Sequence, residues 1–591
     1  MPAPELIRNQ VDRIASGRAF ANSERMCRFL RYAVDYVLQG NSGRLKEYTV
    51  GVDIFDRDPS YDPRVDPIVR VEARRLRAKL AAYYENEGRE DEVLIEFPKG
   101  SYSPVFRTRG PAPADPVESP ERNVAVLPFT DLGEGNRNEY FADGLTEEII
   151  HALTKVDGLR VVAWTSAAQL KGRQEDLYGI REQLKVSFVL RGSVRRTAER
   201  LRITAQLIDT GTGQYQWSEA YDRPANDLFF IEEEIARNIV ARLSPKLIPP
   251  ADRSIVKRGT TDLKCYNLCL KGRFHWNKRS VDELKKAIRC FEDALALDPT
   301  CVRAYTGLAD AYSVMGDVGG IEPAVGIARA REAVLKALEL DSNSASAHTS
   351  LGLIRGPYEW NWREAETCFQ RAIELNQGYA TAHHWYSADC LALQGRMDEA
   401  VREIEIAHDL DPLSGIILEG KAMISMFQKD YESAAEQYSE LLDMDPTFSK
   451  AYGSLGRVYM LMGEYDRAVA MLLKARSLTG NLPTVLGALG HTYGMAQRHE
   501  EARSVLKELQ EMAKRRYIPS TCFALTFLGL GETKKALEYL WQGCERHEPS
   551  LASLGVHPAY DLLRSNDQFG CILARIGLNN FAPMIPPYGK A

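Results

Sequence analysis

A row of arginine side chains on one predicted helix is the pattern in this sequence best suited to chemistry. The segment 66–84 opens with an aspartate that can cap a helix and a proline that fits its first turn, and no glycine or proline follows until Gly88. It therefore predicts a helix of about five turns. At 3.6 residues per turn, its basic side chains gather on one side of the helix. They are Arg70, Arg74 and Arg77 in one stripe, with Arg75 and Lys79 flanking it.

Guanidinium groups in such a row fit the major groove of DNA. Arginine binds guanine through two hydrogen bonds or clamps a phosphate. A separate stripe of the same helix is apolar and suited to docking on a small core. It consists of Val69, Ala73, Leu76, Leu80 and Tyr83. The alternative is an ordinary helix with a solvated charged face, which is what runs of charge usually indicate.

A basic hairpin is predicted directly after this helix. The segment 93–106 contains two short stretches rich in Val, Ile, Phe and Tyr around Pro98-Lys99-Gly100-Ser101, which predicts a tight turn. Helix followed by hairpin is the order of a winged helix, in which the helix enters the major groove and the wing contacts the backbone or minor groove. We expect Arg70, Arg74 and Arg77 to face the groove. The predicted backbone contacts are Arg75, Lys79 and Lys99.

Residues 45–106 resemble the OmpR/PhoB-type winged helix of bacteria, including its CadC/ToxR-like relatives. The residues that carry the resemblance are Val69, Arg70, Arg74, Leu76, Arg77, Lys79 and Leu80, then Ile95, Gly100 and Tyr102. The chain differs from that family in having Ser101 where a second glycine is usual, and in opening with helical sequence instead of a small sheet. The resemblance implies binding to double-stranded DNA, and a homodimer on paired half-sites is plausible.

The residues before this helix predict further helices, two within 4–38 and a shorter one over 46–55. Together with the hairpin they form a predicted winged helix-turn-helix domain over residues 1–107. This segment has 18 basic and 17 acidic residues, a net charge of +1. We therefore expect DNA contact from a focused basic patch and not from a broadly basic surface.

The composition is that of an ordinary globular protein with several domains. The chain has 591 residues, 45% of them hydrophobic and 26% charged, and a net charge of −6. That length predicts three or four domains, and that charge requires any nucleic-acid contact to be local. Neither a signal peptide nor an apolar stretch of membrane-spanning length occurs, and residues 108–121 form a polar Pro-rich linker. We expect a cytoplasmic protein without membrane contact.

Ten scattered cysteines indicate free thiols in a reducing compartment. None of them forms a CxxC pair. Cys265 and Cys269 lie one helical turn apart without a second pair nearby, so we expect no zinc site and no other metal.

Alternating strand and helix patterns from 122 to 245 predict an α/β or α+β sandwich. This region resembles the TolB-like (FlgO-like) domain that occurs beside bacterial cyclases, kinases and regulators. The carriers are the segments 125–129, 141–148, 190–195 and 201–207. The resemblance implies a fold and a role in signal transduction. Within it, Asp143 would repel an anion at a helix start, so we expect residues 141–146 to serve as a cap and turn.

From about residue 258 the sequence repeats near every 34 residues. Alanine, aromatic residues and proline recur in phase, which matches the tetratricopeptide repeat, and about eight units extend through residue 545. Residues 546–591 form a predicted capping segment. Such arrays bind a protein or peptide in their inner groove. The predicted groove residues are Trp385, Asp389, Met423, Arg457 and His491, and the alternative is that each packs against its neighbour.

The sequence contains no nucleophile elbow, metalloprotease motif, kinase signature or phosphate loop. We therefore expect no enzyme, no catalytic residues and no cofactor. The predicted architecture is multidomain: a winged helix-turn-helix, a TolB-like α/β domain and an all-α repeat solenoid. The leading hypothesis is a cytoplasmic one-component transcription regulator whose later domains sense a signal or recruit a protein. The alternative is a signalling scaffold whose winged helix contacts protein instead of DNA.

Overall fold

The computed structural model of the chain divides it into two units, Met1–Pro120 and Glu121–Ala591. The structure describes residues 4–17, 20, 23–38, 46–55, 58, 68–85, 87–88, 91, 93–98, 102–108, 123–133, 139–156, 158–171, 177–197, 199–224, 228–243, 260, 262–278, 280–317 and 321–581. Among the described helices, none combines the length and the apolar character needed to cross a membrane.

The first unit packs helices against a two-stranded antiparallel hairpin. Its described elements are α1 (Pro4–Ser16), α2 (Glu24–Leu38), α3 (Glu47–Asp53), α4 (Ile68–Glu85), β1 (Val93–Glu96) and β2 (Val105–Thr108). In the hairpin Ile95 pairs with Phe106. The connection between the strands spans eight residues, longer than the tight turn that the sequence predicts, and residues 99–101 lie outside the described part of the chain.

The apolar stripe of α4 forms the centre of this unit. All five residues that the sequence assigns to it are buried, so that prediction is confirmed. Around it the ring of Phe29 lies 5.6 Å from that of Phe55 and 5.9 Å from that of Phe97, both in edge-on geometry. The Tyr84 hydroxyl accepts a 2.8 Å hydrogen bond from the backbone amide of Ile95. The last turn of α4 is thereby fixed to the first strand of the hairpin.

The second unit begins with a six-stranded mixed sheet. Its strands are β3 (Asn123–Val126), β4 (Thr130–Asp131), β5 (Arg160–Val161), β6 (Phe188–Arg196), β7 (Arg200–Asp209) and β8 (Tyr215–Pro224). The order is β5-β3-β6-β7-β8, with β4 also paired to β6. The pairs of β3 are parallel, whereas β6, β7 and β8 are antiparallel. The helices around it are α5 (Glu139–Leu153), α6 (Trp164–Gln169), α7 (Leu177–Leu184) and α8 (Leu228–Leu243).

The cap-and-turn role predicted for residues 141–146 is wrong. Helix α5 begins at Glu139, so Asp143 lies one turn inside it. The Asp143 carboxylate pairs with the Lys171 ammonium at 2.6 Å, and the Thr146 hydroxyl donates to the carbonyl of Ala142 at 2.8 Å. The prediction failed because polar side chains that bond within the fold look like caps in a sequence.

Eight antiparallel helix pairs follow the sheet domain and form a solenoid. The first helices are α9 (Leu263–Asn277), α11 (Val302–Asp317), α13 (Ala345–Leu353), α15 (Ala380–Tyr386), α17 (Gly415–Phe427), α19 (Ser449–Leu461), α21 (Pro483–Met495) and α23 (Ser520–Gly529). The second helices are α10 (Val281–Leu297), α12 (Pro323–Leu340), α14 (Trp362–Leu375), α16 (Met397–Leu410), α18 (Tyr431–Met444), α20 (Tyr465–Thr479), α22 (His499–Ala513) and α24 (Thr533–Glu545). Single π-turns over Ile354–Tyr358 and Ser387–Leu391 extend α13 and α15.

The polypeptide after α24 continues in short helical turns. These are the 3-10 helices Pro549–Ser553 and Pro558–Leu563, then α25 (Asp567–Arg575) and a last turn over Asn579–Phe581. Phe569, Ile572 and Leu573 of α25 are buried. They belong to the same hydrophobic core as the repeats from α14 onward.

Close helix packing in the solenoid depends on small residues such as Gly456 of α19. A methyl group there would lie 2.7 Å from Cγ of Leu472 and 3.1 Å from the carbonyl oxygen of Ala468. At Gly453 of the same helix the nearest atoms would be 4.0 Å away. A methyl group therefore has room at Gly453 but not at Gly456, although both glycines lie on α19.

We expect Gly456→Ala to lower the stability of the solenoid by about 1–3 kcal/mol, because the methyl group overpacks the contact with α20. Gly453→Ala is the matched control. It should be neutral or stabilising by about 0.5–1 kcal/mol, since alanine is the better helix former. Urea midpoints followed by circular dichroism compare the two. An equal effect of both substitutions would contradict the packing argument.

Candidate functional site

Two of the six predicted DNA contacts lie on α4 with side chains outside the described part of the structure. Helix α4 includes the backbone of Arg70 and Arg74, and Lys99 lies outside the described residues altogether. The other three, Arg75, Arg77 and Lys79, are described. The structure therefore places five of the six on one helix.

Arg77 holds the hairpin against α4. Its Nε donates to the carbonyl oxygen of Phe97 at 3.0 Å, and one terminal nitrogen donates to that of Pro98 at 3.3 Å. A planar guanidinium can serve two carbonyl groups at once, which an ammonium cannot do in the same fixed geometry. Arg77 thus sets where the loop containing Lys99 begins, a positioning role that sequence reasoning missed.

Arg75 and Lys79 flank this contact. The Arg75 side chain is exposed and pairs with Glu72 at 2.9 Å, one turn earlier on α4. The Lys79 ammonium lies 5.8 Å from the centroid of the Phe20 ring. Glu72 is buried, so only the Arg75 side of this pair faces solvent.

A second candidate site is the contact between the sheet domain and the first two repeats. Glu148 of α5 forms an ion pair and a hydrogen bond with the Arg303 guanidinium of α11, the latter at 2.5 Å. The Glu147 carboxylate oxygen Oε1 lies 3.7 Å from Nε of Arg273 on α9. The Arg273 guanidinium also pairs with the Asp310 carboxylate at 3.2 Å. Acidic residues of one domain thus meet basic residues of the other.

Helix α9 belongs to both domains. Tyr266 and Leu270 are buried in the core of the sheet domain, although α9 is the first helix of the solenoid. The Tyr266 hydroxyl donates to the buried carboxyl group of Glu232 at 2.5 Å. The sheet domain and the solenoid therefore share a continuous core at this point.

The same sheet domain also contacts the fourth helix pair. The backbone amide of Ala163 donates to the carbonyl of Leu410 at 2.9 Å, and the amide of Ser166 donates to the Asp411 carboxylate at 2.9 Å. The Ser166 hydroxyl accepts from the amide of Leu413 at 2.8 Å. These bonds, far apart in sequence, fix the sheet domain to the solenoid at a second place.

Burial changes the titration of this interface. It raises the pKa of Glu147 to about 7 and that of Glu232 to about 8, and it raises the pKa of Asp411 to about 6. The interface is therefore most favourable when these carboxyl groups carry protons.

The predicted groove residues lie along the first helices of the later repeats. Trp385, Asp389, Met423 and Arg457 are half-buried, whereas His491 is buried. Trp385 and Met423 pack against the core of the solenoid, which is the alternative that the sequence left open for each of them. His491 and Arg457 lie close enough to the His557 ring to lower its pKa, although burial is the larger cause.

The segment after α24 contacts earlier repeats of the solenoid. The His557 ring lies 6.1 Å from that of Phe427 on α17, and Asp561 pairs with Lys429 at 2.6 Å. Farther along, the indole nitrogen of Trp362 donates to the carbonyl of Ile576 at 2.9 Å. Residues 546–581, which we call the return segment, thus join the eighth helix pair to the third.

A third group of side chains was not found from the sequence. Cys265, Cys269 and Cys301 are buried and bring their sulfur atoms within 4.8 Å of one another. Cys301 is 32 residues from Cys269, close to one repeat period. Comparing the positions of the cysteines in successive repeats would have indicated this group.

Three parts of the chain match known families. Residues 120–228 match the second domain of HilA/YgeH-like transcriptional regulators, and residues 361–414 and 427–481 match tetratricopeptide repeats. The chain therefore contains tetratricopeptide repeats, as the sequence predicts. It also contains a domain similar to one found in transcriptional regulators.

Two curated proteins are similar to part of this chain. The protein "Putative adenylate cyclase 3" of Rhizobium meliloti is 36% identical over 233 residues, 39% of each chain. Transcriptional regulator HilA of Salmonella typhimurium is 23% identical over 249 residues, 42% of this chain and 44% of HilA. The chain spans about two fifths of the length of these relatives. A solved structure of Pseudomonas aeruginosa pilF is 20% identical and covers 36% of this chain and 94% of its own, with a TM-score of 0.28.

The raised pKa values predict how pH acts on the interface. A carboxyl group in water loses its proton near pH 4.3, whereas Glu232 holds it to about pH 8. The contribution of Glu232 to stability is thus present at low pH and lost as the pH rises, by at most about 1.4 kcal/mol per pH unit. Glu232→Gln stays neutral and keeps an acceptor for Tyr266. We expect its urea midpoint to exceed that of the parent increasingly between about pH 5.5 and 8.

The exposed Glu199 supplies the control, because Glu199→Gln should leave the midpoint difference unchanged across the same range. A Glu232→Gln protein whose midpoint follows that of the parent at every pH would rule out the proposed titration.

The return segment gives a second prediction. Trp362→Phe keeps an aromatic ring but removes the donor to Ile576, so we expect local opening of residues 549–578 to become easier by about 1–1.5 kcal/mol. Amide hydrogen exchange there should rise about tenfold. Trp217→Phe is the matched control, since its indole donates to Glu219 within the sheet domain. Equal exchange in both variants would contradict the anchoring role of Trp362.

Proposed function

We propose that this chain is a cytoplasmic one-component transcription regulator. Residues 1–107 bind double-stranded DNA as an OmpR/PhoB-type winged helix, and the two later domains sense a signal or recruit a protein. The observation that carries the proposal is the similarity of residues 120–228 to a regulator domain. A unit with a basic helix and a hairpin precedes that domain.

The described contacts of α4 support this use of the first unit. The apolar stripe of α4 is buried, while the side chain of Arg75 on the same helix is exposed. Arg77 joins helix and hairpin through two carbonyl groups, so that both elements would meet DNA as one rigid body. In this proposal Arg70 and Arg74 contact base edges, while Arg75, Lys79 and Lys99 contact the phosphate backbone.

The sheet domain transmits the signal in this proposal. Its TolB-like character and its contacts with two parts of the solenoid favour a role as a coupling element and not as a catalyst. One relative is named as an adenylate cyclase, but the match covers only 39% of that protein. We propose that this chain has no cyclase activity, and a cyclic AMP assay on the purified protein tests this separately.

The repeats bind a protein or peptide in the proposal. Because His557 of the return segment lies near the groove residues Arg457 and His491, such a partner would displace the segment or bind beside it. The runner-up function, a scaffold whose first unit contacts protein, is favoured by the same repeats. A row of arginines on α4 is what separates the two, since a scaffold has no need of it.

DNA binding predicts a steep dependence on salt. With full-length protein and mixed genomic fragments, we expect affinity to fall about 10³-fold or more between 50 and 200 mM salt if six or more phosphates are contacted. Arg74→Ala should cost about 1–3 kcal/mol at a specific site if Arg74 reads a base. Arg200→Ala makes the same charge change in the second unit and should bind like the parent.

A mobility shift assay with the parent, Arg70→Ala, Arg74→Ala and Arg200→Ala at two salt concentrations makes the measurement, and size analysis of the complex tests the proposed homodimer. Binding that does not respond to salt, or that Arg70→Ala and Arg74→Ala both leave intact, would favour the scaffold.

A further inference from the structure

Three thiols meet in the core of the first two repeats. The sulfur atoms of Cys265, Cys269 and Cys301 all lie within 4.8 Å of one another, and those of Cys269 and Cys301 are 3.6 Å apart. Each of the three residues is 1% exposed or less. Within the described part of the chain, no histidine or carboxylate completes a larger metal-binding group with them.

The fold explains why these sulfurs converge. Cys265 and Cys269 are one turn apart on α9, so they lie on the same face of that helix. Cys301 directly precedes α11, whose first turn packs against α9. Stacking of the first repeat on the second therefore brings a third thiol to a pair that the sequence already places together.

The surroundings favour the ionised form of at least one thiol. Cys301 sits at the N-terminus of a 16-residue helix, where a negative charge is stabilised.

We propose that Cys265, Cys269 and Cys301 form a three-thiolate binding site for a soft monovalent metal ion, Cu(I). Thiolates select soft ions, and Cu(I) is among them. A metal–sulfur bond of about 2.3 Å in a trigonal plane places the sulfurs about 4.0 Å apart, which falls within the observed spacing. Structural Zn(II) takes four ligands and would need a further one in this buried place. Binding releases the thiol protons to solvent.

The three cysteines lie next to residues that bind the sheet domain to the solenoid. Tyr266, which bonds to Glu232, follows Cys265, and Arg303, which pairs with Glu148, lies two residues after Cys301. A bound ion would tie α9 to the start of α11 at the point where both contact the sheet domain. This inference holds whether or not the first unit binds DNA, because no residue of that unit takes part.

The test uses the full chain, purified under reducing, anaerobic conditions and titrated with Cu(I) supplied as its acetonitrile complex. After desalting, we expect about one copper per chain, with X-ray absorption of the wild-type protein giving three sulfur neighbours. Cys269→Ala and Cys301→Ala should each retain less than about a tenth of that copper. The buried residues Cys290 and Cys522 lie outside the group, and their alanine variants should keep it.

Circular dichroism verifies that each variant is folded, and the absorption measurement on the wild type needs no variant. Two results would overturn the proposal on copper itself: no copper retained by the folded wild type, or copper retained equally by Cys301→Ala. Retention of Zn(II) as tight as that of Cu(I) would overturn the choice of ion.

Discussion

The contact between Glu148 and Arg303 is the interaction on which the arrangement of the second unit depends. Both side chains are largely withdrawn from water, and each would be costly to leave without its partner. Together with Tyr266, Leu270 and the bonds to Asp411, this pair makes the sheet domain part of the solenoid. An ordinary flexible connection between a sensing domain and a repeat array would leave them free to move. Here the described contacts hold the two in one arrangement.

Much of the fold follows from periodicity in the sequence. The apolar stripe of α4 predicts the core of the first unit, because side chains spaced three and four residues apart must share a face. The 34-residue repeat likewise predicts the helix pairs. What it cannot predict is how Arg77 bends back to the carbonyls of Phe97 and Pro98, since a basic side chain bonded to backbone looks the same in sequence as one that faces solvent. The cap-and-turn prediction at Asp143 failed for a related reason, because its partner Lys171 is distant along the chain.

The candidate sites likewise combine features that the sequence predicts with features that it does not. Residues on one helix, such as Cys265 and Cys269, can be grouped from spacing alone, but the approach of Cys301 depends on how one repeat stacks on the next. The groove residues were predicted from their position in each repeat. The structure adds the return segment, which positions within the repeats do not predict. The return segment is an irregular sequence without a periodic pattern, and its place is decided by the contacts of Trp362, Lys429 and Phe427.

A repeat array with free ends is stabilised by neighbour contacts alone and can unravel from either end. The return segment changes this, because its contacts join the eighth helix pair to the third and so connect the end of the array to its middle. Fraying of the last repeats then requires rupture of contacts five repeats away. The segment also leaves the ribosome after all eight pairs, so the growing chain exposes an unclosed inner surface until its synthesis has passed residue 576. A chaperone would meet that surface without the return segment only during translation.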